Sequence, residues 1–225
     1  LGQGTIDGTL SDNSRIYLGN STVNGNATLR LGKEDGGQVL GGSAVLQINA
    51  NTAGGRRTIQ SDNTSGTNTI ARTITNNNQV FITNAAGGVL RFEGGFTSSA
   101  NSIVVQGGGT NAVVEFAAAN SFNNVFVDYG HVRFDADNSW GTGGISLGRN
   151  ATEINGAVAS FTTNFTVGAA IEARTNAGDK TIMYTGDGGI LTLAGNITNN
   201  VTGTGRGLGL DVASGGTMEI TGQIS

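Results

Sequence analysis

Residues 112–149 read AVVEFAAANSFNNVFVDYGHVRFDADNSWGTGGISLGR, and their reading decides the fold. Apolar side chains alternate with polar or small ones at Val114 and Phe116, Val125 and Val127, Val132 and Phe134, and Ile145 and Leu147. A period of two puts such residues on one face of a strand. Every run stops at Asn, Asp or Gly, the residues that turn a chain sharply. Short strands of similar size with a corner after each, and no stretch of helical period between them, predict one coil of a β-solenoid.

The same pattern extends outward in both directions. Toward the N-terminus it recurs at Ala27–Leu31, Ala44–Ile48, Thr69–Thr75 and Val80–Ile82; toward the C-terminus it recurs at Phe161–Val167, Thr181–Tyr184, Ile190–Leu193 and Met218–Ile224. Units of roughly 20 to 25 residues fall in the solenoid range and predict about ten coils. The expected fold is therefore all-β, a single right-handed parallel β-helix over residues 1–225. At ~4.8 Å per coil the rod would be about 50 Å long. Because the chain starts at Leu1, it is expected to be a segment processed or excised from a longer secreted chain.

Within 112–149, Asn120-Ser121-Phe122 is followed by Val127-x-x-Gly130-x-Val132-x-Phe134 and then by Trp140-Gly-x-Gly-Gly-Ile-x-Leu-Gly148. This order resembles the autotransporter-associated β-strand repeat of bacterial secreted passengers, with Ser-Phe in place of Thr-Tyr and Trp140 in place of the usual Leu. The resemblance covers one unit well and echoes more weakly along most of the chain. It implies an extracellular or cell-surface parallel β-helix in a bacterium. It implies no single activity, because such passengers include adhesins, structural fibres and enzyme carriers.

Composition narrows the function further. The chain has 39 Gly, no Pro and no Cys, a charged fraction of 12% and a net charge of −4. Lacking a basic stripe, it offers nucleic acid no counter-charge. No apolar run reaches the ~20 residues of a membrane helix. Without Cys there is no disulfide framework or thiolate metal site, and with His131 as the only histidine a transition-metal site has too few ligands. Cofactors are expected to be none. The oxygen-rich turns at Asp135-Ala136-Asp137-Asn138 and Gly186-Asp187-Gly188-Gly189 are the weak candidates for Ca²⁺.

His131 alternates with Tyr129 and Arg133, opposite Val132 and Phe134, and reads as a surface histidine rather than a catalytic one. Arg56-Arg57 reads as plain surface on a Gly turn, and Asn76-Asn77-Asn78 as a run that could stack side-chain ladders with neighbouring coils. Asp135 and Asp137, two apart, and Asp128 on an adjacent stretch are the acids to weigh for a polysaccharide hydrolase or lyase, and turn aspartates are the plainer reading. No catalytic residue is assigned.

Neither end shows a capping helix or a charged edge strand, and uncovered strand edges recruit further strands. The expected role is thus structural or adhesive. The partners would be copies of the chain, or adjoining coils, meeting at Ile6 and Leu10 on one end and at Met218, Ile220 and Ile224 on the other. Surface glycans are the second expected partner, through the aromatics Tyr17, Tyr129 and Trp140; a polysaccharide-binding or polysaccharide-degrading β-helix is the alternative function.

Overall fold

A computed structural model describes residues 3–6, 9–10, 15–20, 25–50, 54–97, 100–149, 154–175, 178–201 and 207–225. They form 23 strands, with no helix among them. The strands, numbered in chain order, stack in parallel as the three faces of a β-solenoid. The first face is the ladder β1 (Gln3–Ile6), β4 (Ala27–Leu31), β7 (Arg57–Ser61), β10 (Val80–Asn84), β12 (Ile103–Gly107), the first part of β14 (Val125–Phe134), β15 (Ile145–Leu147), β18 (Ile171–Ala173) and β21 (Ile197–Asn199).

The second face runs beside it through β2 (Thr9–Leu10), β5 (Val39–Leu40), β8 (Thr67–Ile70), β11 (Val89–Phe92), β13 (Val113–Phe116), the second part of β14, β16 (Ala157–Phe161), β19 (Lys180–Tyr184) and β22 (Leu208–Val212). The third face comes in two pieces. One is β3 (Ile16–Leu18), β6 (Leu46–Ile48) and β9 (Ile74–Asn76); the other is β17 (Thr166–Val167), β20 (Ile190–Leu193) and β23 (Thr217–Ile220). The described coils are slightly fewer than the ten expected, because partners on the first face lie between 20 residues apart (Val125 to Ile145) and 30 (Ala27 to Arg57). Loops at the corners absorb the difference, so the strands stay in register.

Alternation decides what fills the interior. Along β4 and β10 every second residue is buried, and the in-register residues of successive coils stack. On the second face Phe92, Phe116, Phe134 and Phe161 stack with ring centroids 5.4, 6.1 and 5.2 Å apart. From the third face Phe96 and Trp140 meet them edge-on and Phe122 at a tilt, while Phe165 packs edge-on against Trp140. Offset and edge-to-face pairs of this kind add about 0.5–1.5 kcal/mol each beyond burial.

Side-chain amides fasten coil to coil. Asn120 Oδ1 accepts from Phe96 N at 2.8 Å, while its Nδ2 donates to Ala118 O at 2.9 Å and to Ser139 O at 2.7 Å, so one buried residue joins three coils. This is the physical content of the Asn-Ser-Phe triplet. Asn26 and Asn124, each just before a first-face strand, accept from the backbone N–H of Arg56 and Gly144 in the next coil, both at 2.8 Å. The expected ladder at Asn76 is corrected here: Asn76 is buried, and its amide has no hydrogen-bond partner among the described residues. Corner asparagines bind neighbouring backbone rather than each other, because a backbone N–H lies nearer than the next side chain.

The reading of Arg57 as surface is also overturned. Arg57 is fully buried, and its guanidinium donates to Gly25 O at 2.6 Å, Asn20 O at 3.0 Å and Asn49 O at 3.3 Å. It shares the parity of Ile59, which points inward, and three corner carbonyls satisfy it there.

Candidate functional site

The last described coil differs from those beneath it. Ile182, Tyr184, Leu191, Leu193 and Ile197 are buried, and their in-register partners one coil on are Leu210, Val212, Met218, Ile220 and Ile224. These occupy the same inward positions, yet Leu210 is 48% exposed, Val212 37% and Ile224 59%. Met218 and Ile220 are half-buried. An apolar cross-section of the rod is therefore open on this side, with the backbone edges of β22 and β23 around it. At the other end Ile6 and Leu10 stand in β1 and β2, but their side chains lie outside the described residues.

The three acids go to three different places. Asp128 is the extra residue of a β-bulge, where Val105 pairs with Val127 but Gln106 pairs with Tyr129. The bulge turns the Asp128 carboxylate, 2% exposed, toward Arg149 Nε at 3.0 Å and Gln106 Nε2 at 2.9 Å. Asp135 accepts from Arg91 Nη1 at 3.3 Å and from the Thr162 hydroxyl. Asp137 accepts from the backbone N–H of Asn138 at 2.9 Å in an exposed turn. Glu115, nearly fully buried, lies between Arg91 and Arg133 and pairs with both.

On the outer first face, Phe81, Val104 and Phe126 line up on three successive coils. The Arg56 guanidinium covers the Phe81 ring at 3.8 Å and donates to Gln106 Oε1 at 2.6 Å. Arg149 covers Phe126 at 4.3 Å. Burial lowers the pKa of Arg56, and Tyr129 and Asp128 oppose that shift. Cations over aromatic faces are worth about 0.5–2 kcal/mol, so these arginines strap neighbouring coils together. Period-two reading missed the straps because Arg56 and Arg149 flank strands rather than lie within them.

Of the aromatics expected at the surface, Tyr17 is 56% exposed and Tyr129 is half-buried. Trp140 is a correction: it is 4% exposed, packed against Phe134, Phe161 and Phe165. Its position in the repeat is an inward one, and the following coil covers the indole. His131 points outward as its alternation predicts but is largely covered, with Nε2 against Ser160. Among the described residues no three His, Cys, Asp or Glu side chains group as metal ligands, and no helix is long and apolar enough to cross a membrane.

Comparison of the chain with protein-family models, with curated proteins and with solved structures found no match in any of the three.

Proposed function

We propose that this chain is a structural, non-enzymatic segment of an extracellular bacterial β-solenoid of the autotransporter-passenger type, whose C-terminal face carries a further coil and so extends a stalk or filament. The observation that carries the reading is the exposure of Leu210, Val212 and Ile224 at positions that are buried in the coil below. Apolar area of this kind is stabilised by roughly 25 cal/mol per Å² when covered, and an open parallel edge pairs readily with another strand. The next coil would come from adjoining coils of a longer chain or, for this chain in isolation, from a second copy stacked head to tail, which continues the same parallel ladder.

The bacterial passenger assignment rests on the motif at 120–148. The non-catalytic reading is supported by the separate engagement of Asp128, Asp135 and Asp137. Adhesion to glycans through Tyr17 and Tyr129 is the secondary role in this proposal.

The test is electron microscopy with size-exclusion chromatography over a concentration series. Rods lengthening in steps of about 40 Å, the height of nine stacked strands at ~4.8 Å, are expected. Leu210→Lys with Ile224→Lys should leave a folded monomer. A wild-type chain that stays monomeric throughout, or double-variant rods as long as those of wild type, would sink the proposal.

A further inference from the structure

The dipeptide Asn-Gly occurs at Asn24-Gly25 and at Asn155-Gly156. Asn24 lies outside the described residues, whereas Asn155 is exposed in the bend that leads into β16, and Gly156 is half-buried. An asparagine side chain can react with the backbone nitrogen of the residue after it, provided that nitrogen is unhindered and its hydrogen is not engaged.

At other asparagines the fold engages that nitrogen. Ser121 N, after Asn120, donates to Phe96 O at 2.9 Å, and Ser139 N, after Asn138, donates to Ala136 O at 3.2 Å. Gly156 differs. Its carbonyl accepts from Gly130 N at 2.8 Å, and the next N–H, that of Ala157, donates to Asp179 O at 2.8 Å, but Gly156 N itself donates to no described group. Gly156 also has no Cβ to stand in the way of the attack.

We propose that Asn155 is a site of spontaneous deamidation and isomerisation, at which the chain ages and the coil of β16 loosens from the coil of β19. Base takes the Gly156 amide proton, and the nitrogen attacks Asn155 Cγ. The N–Cγ bond forms, the Cγ–Nδ2 bond breaks and the side-chain nitrogen leaves as ammonia. Water then opens the cyclic imide at one of its two carbonyls. Opening at Cγ gives aspartate; opening at the main-chain carbonyl gives isoaspartate, in which the chain runs on through Cβ and Cγ. No oxidant or cofactor takes part.

Either product alters a corner that the next coil rests on. Ala157 pairs with Lys180, so the corner residues Asn155 and Gly156 lie against Gly178 and Asp179. Gly178 is buried, and a Cβ there would stand 2.1 Å from Asn155 O. An added main-chain carbon has no room in that contact, and a new carboxylate sets a like charge near Asp179. Both changes oppose the bond from Ala157 N to Asp179 O. The site stands or falls independently of stacking at the rod's end.

The experiment holds the whole chain in mildly alkaline buffer beside a peptide of residues 152–158. Both are followed by peptide mapping and by methyl transfer from an isoaspartate methyltransferase. Asn155 should convert within about tenfold of the peptide's rate, because an exposed bend opens at little cost, and the rate should rise with pH. Asn155→Gln, whose longer side chain closes the ring more slowly, should stay folded and unmodified. In the aged fraction, amide exchange at Ala157 should quicken by about tenfold or more, while Val114 in the central coils stays unchanged. Three results would overturn the proposal: Asn155 intact after the peptide has converted, modification confined to Asn24, or an aged fraction in which Ala157 exchanges as slowly as in Asn155→Gln.

Discussion

His131 and Ser160, on adjacent coils of the second face, are joined by a hydrogen bond, with Nε2 2.6 Å from the Ser160 Oγ. Burial, with Arg133 acting in the same direction and a hydrogen bond to the Thr110 backbone opposing both, lowers the histidine's pKa to about 4. Ser160 is fully buried, so the pair pins two coils rather than presenting a nucleophile.

A pH dependence follows from that shift. The unfolded chain takes up this proton near pH 6.5, the folded chain only near pH 4. Between those values the unfolded state holds more protons, so stability rises with pH. The contribution is fully present above 6.5 and is lost as pH falls toward 4, by up to about 3 kcal/mol. Urea unfolding of wild type and His131→Gln across this window should show a steeper fall in wild type. Parallel curves would rule out the assignment, and no second histidine can confuse it.

Asn120 sets a second expectation. Replacing it with Leu leaves the Phe96 N–H and the Ser139 carbonyl without partners, at a cost of about 2–4 kcal/mol. Asn120→Asp keeps the acceptor for Phe96 N but loses both donated bonds and buries a charge, so it should be no milder. Thermal unfolding of the two variants checks this; an aspartate variant as stable as wild type would contradict the three-coil role.

Trp140 is the chain's single tryptophan, so its fluorescence reports one site. Emission should be blue-shifted and shielded from iodide, and it should not respond to added oligosaccharide. Trp140→Ala should cost about 3–5 kcal/mol, the usual penalty for emptying a buried aromatic site. Red-shifted, readily quenched emission would restore the indole to the surface.

The parallel coils were legible in the alternation of Val114 with Phe116, Val132 with Phe134 and Ile182 with Tyr184, because a half-buried strand must repeat every two residues. The buried cations were legible too, in principle: Arg57 shares parity with Ile59, Arg72 with Ile70 and Ile74, and Lys180 with Ile182, and all three are buried. For Arg57, read as plain surface, charge outweighed parity. The depth of Trp140 was not legible, since it depends on Phe161 and Phe165 in the next coil. The break in the third face was hidden as well. Between β9 and β17 the coils meet on that face through single backbone bonds, Ser121 N to Phe96 O and Thr142 N to Phe122 O, which no strand pattern encodes.

The ladder also fixes how the rod would answer a pull. Backbone hydrogen bonds lie along the long axis and the covalent chain winds across it, so tension loads one coil's bonds at a time. Each coil that lets go frees 20 to 30 residues, on the order of 70–100 Å of slack. With no cysteine to lock a loop, nothing limits that release. Such a rod yields in steps and lengthens many times over before it breaks, as a shock absorber does.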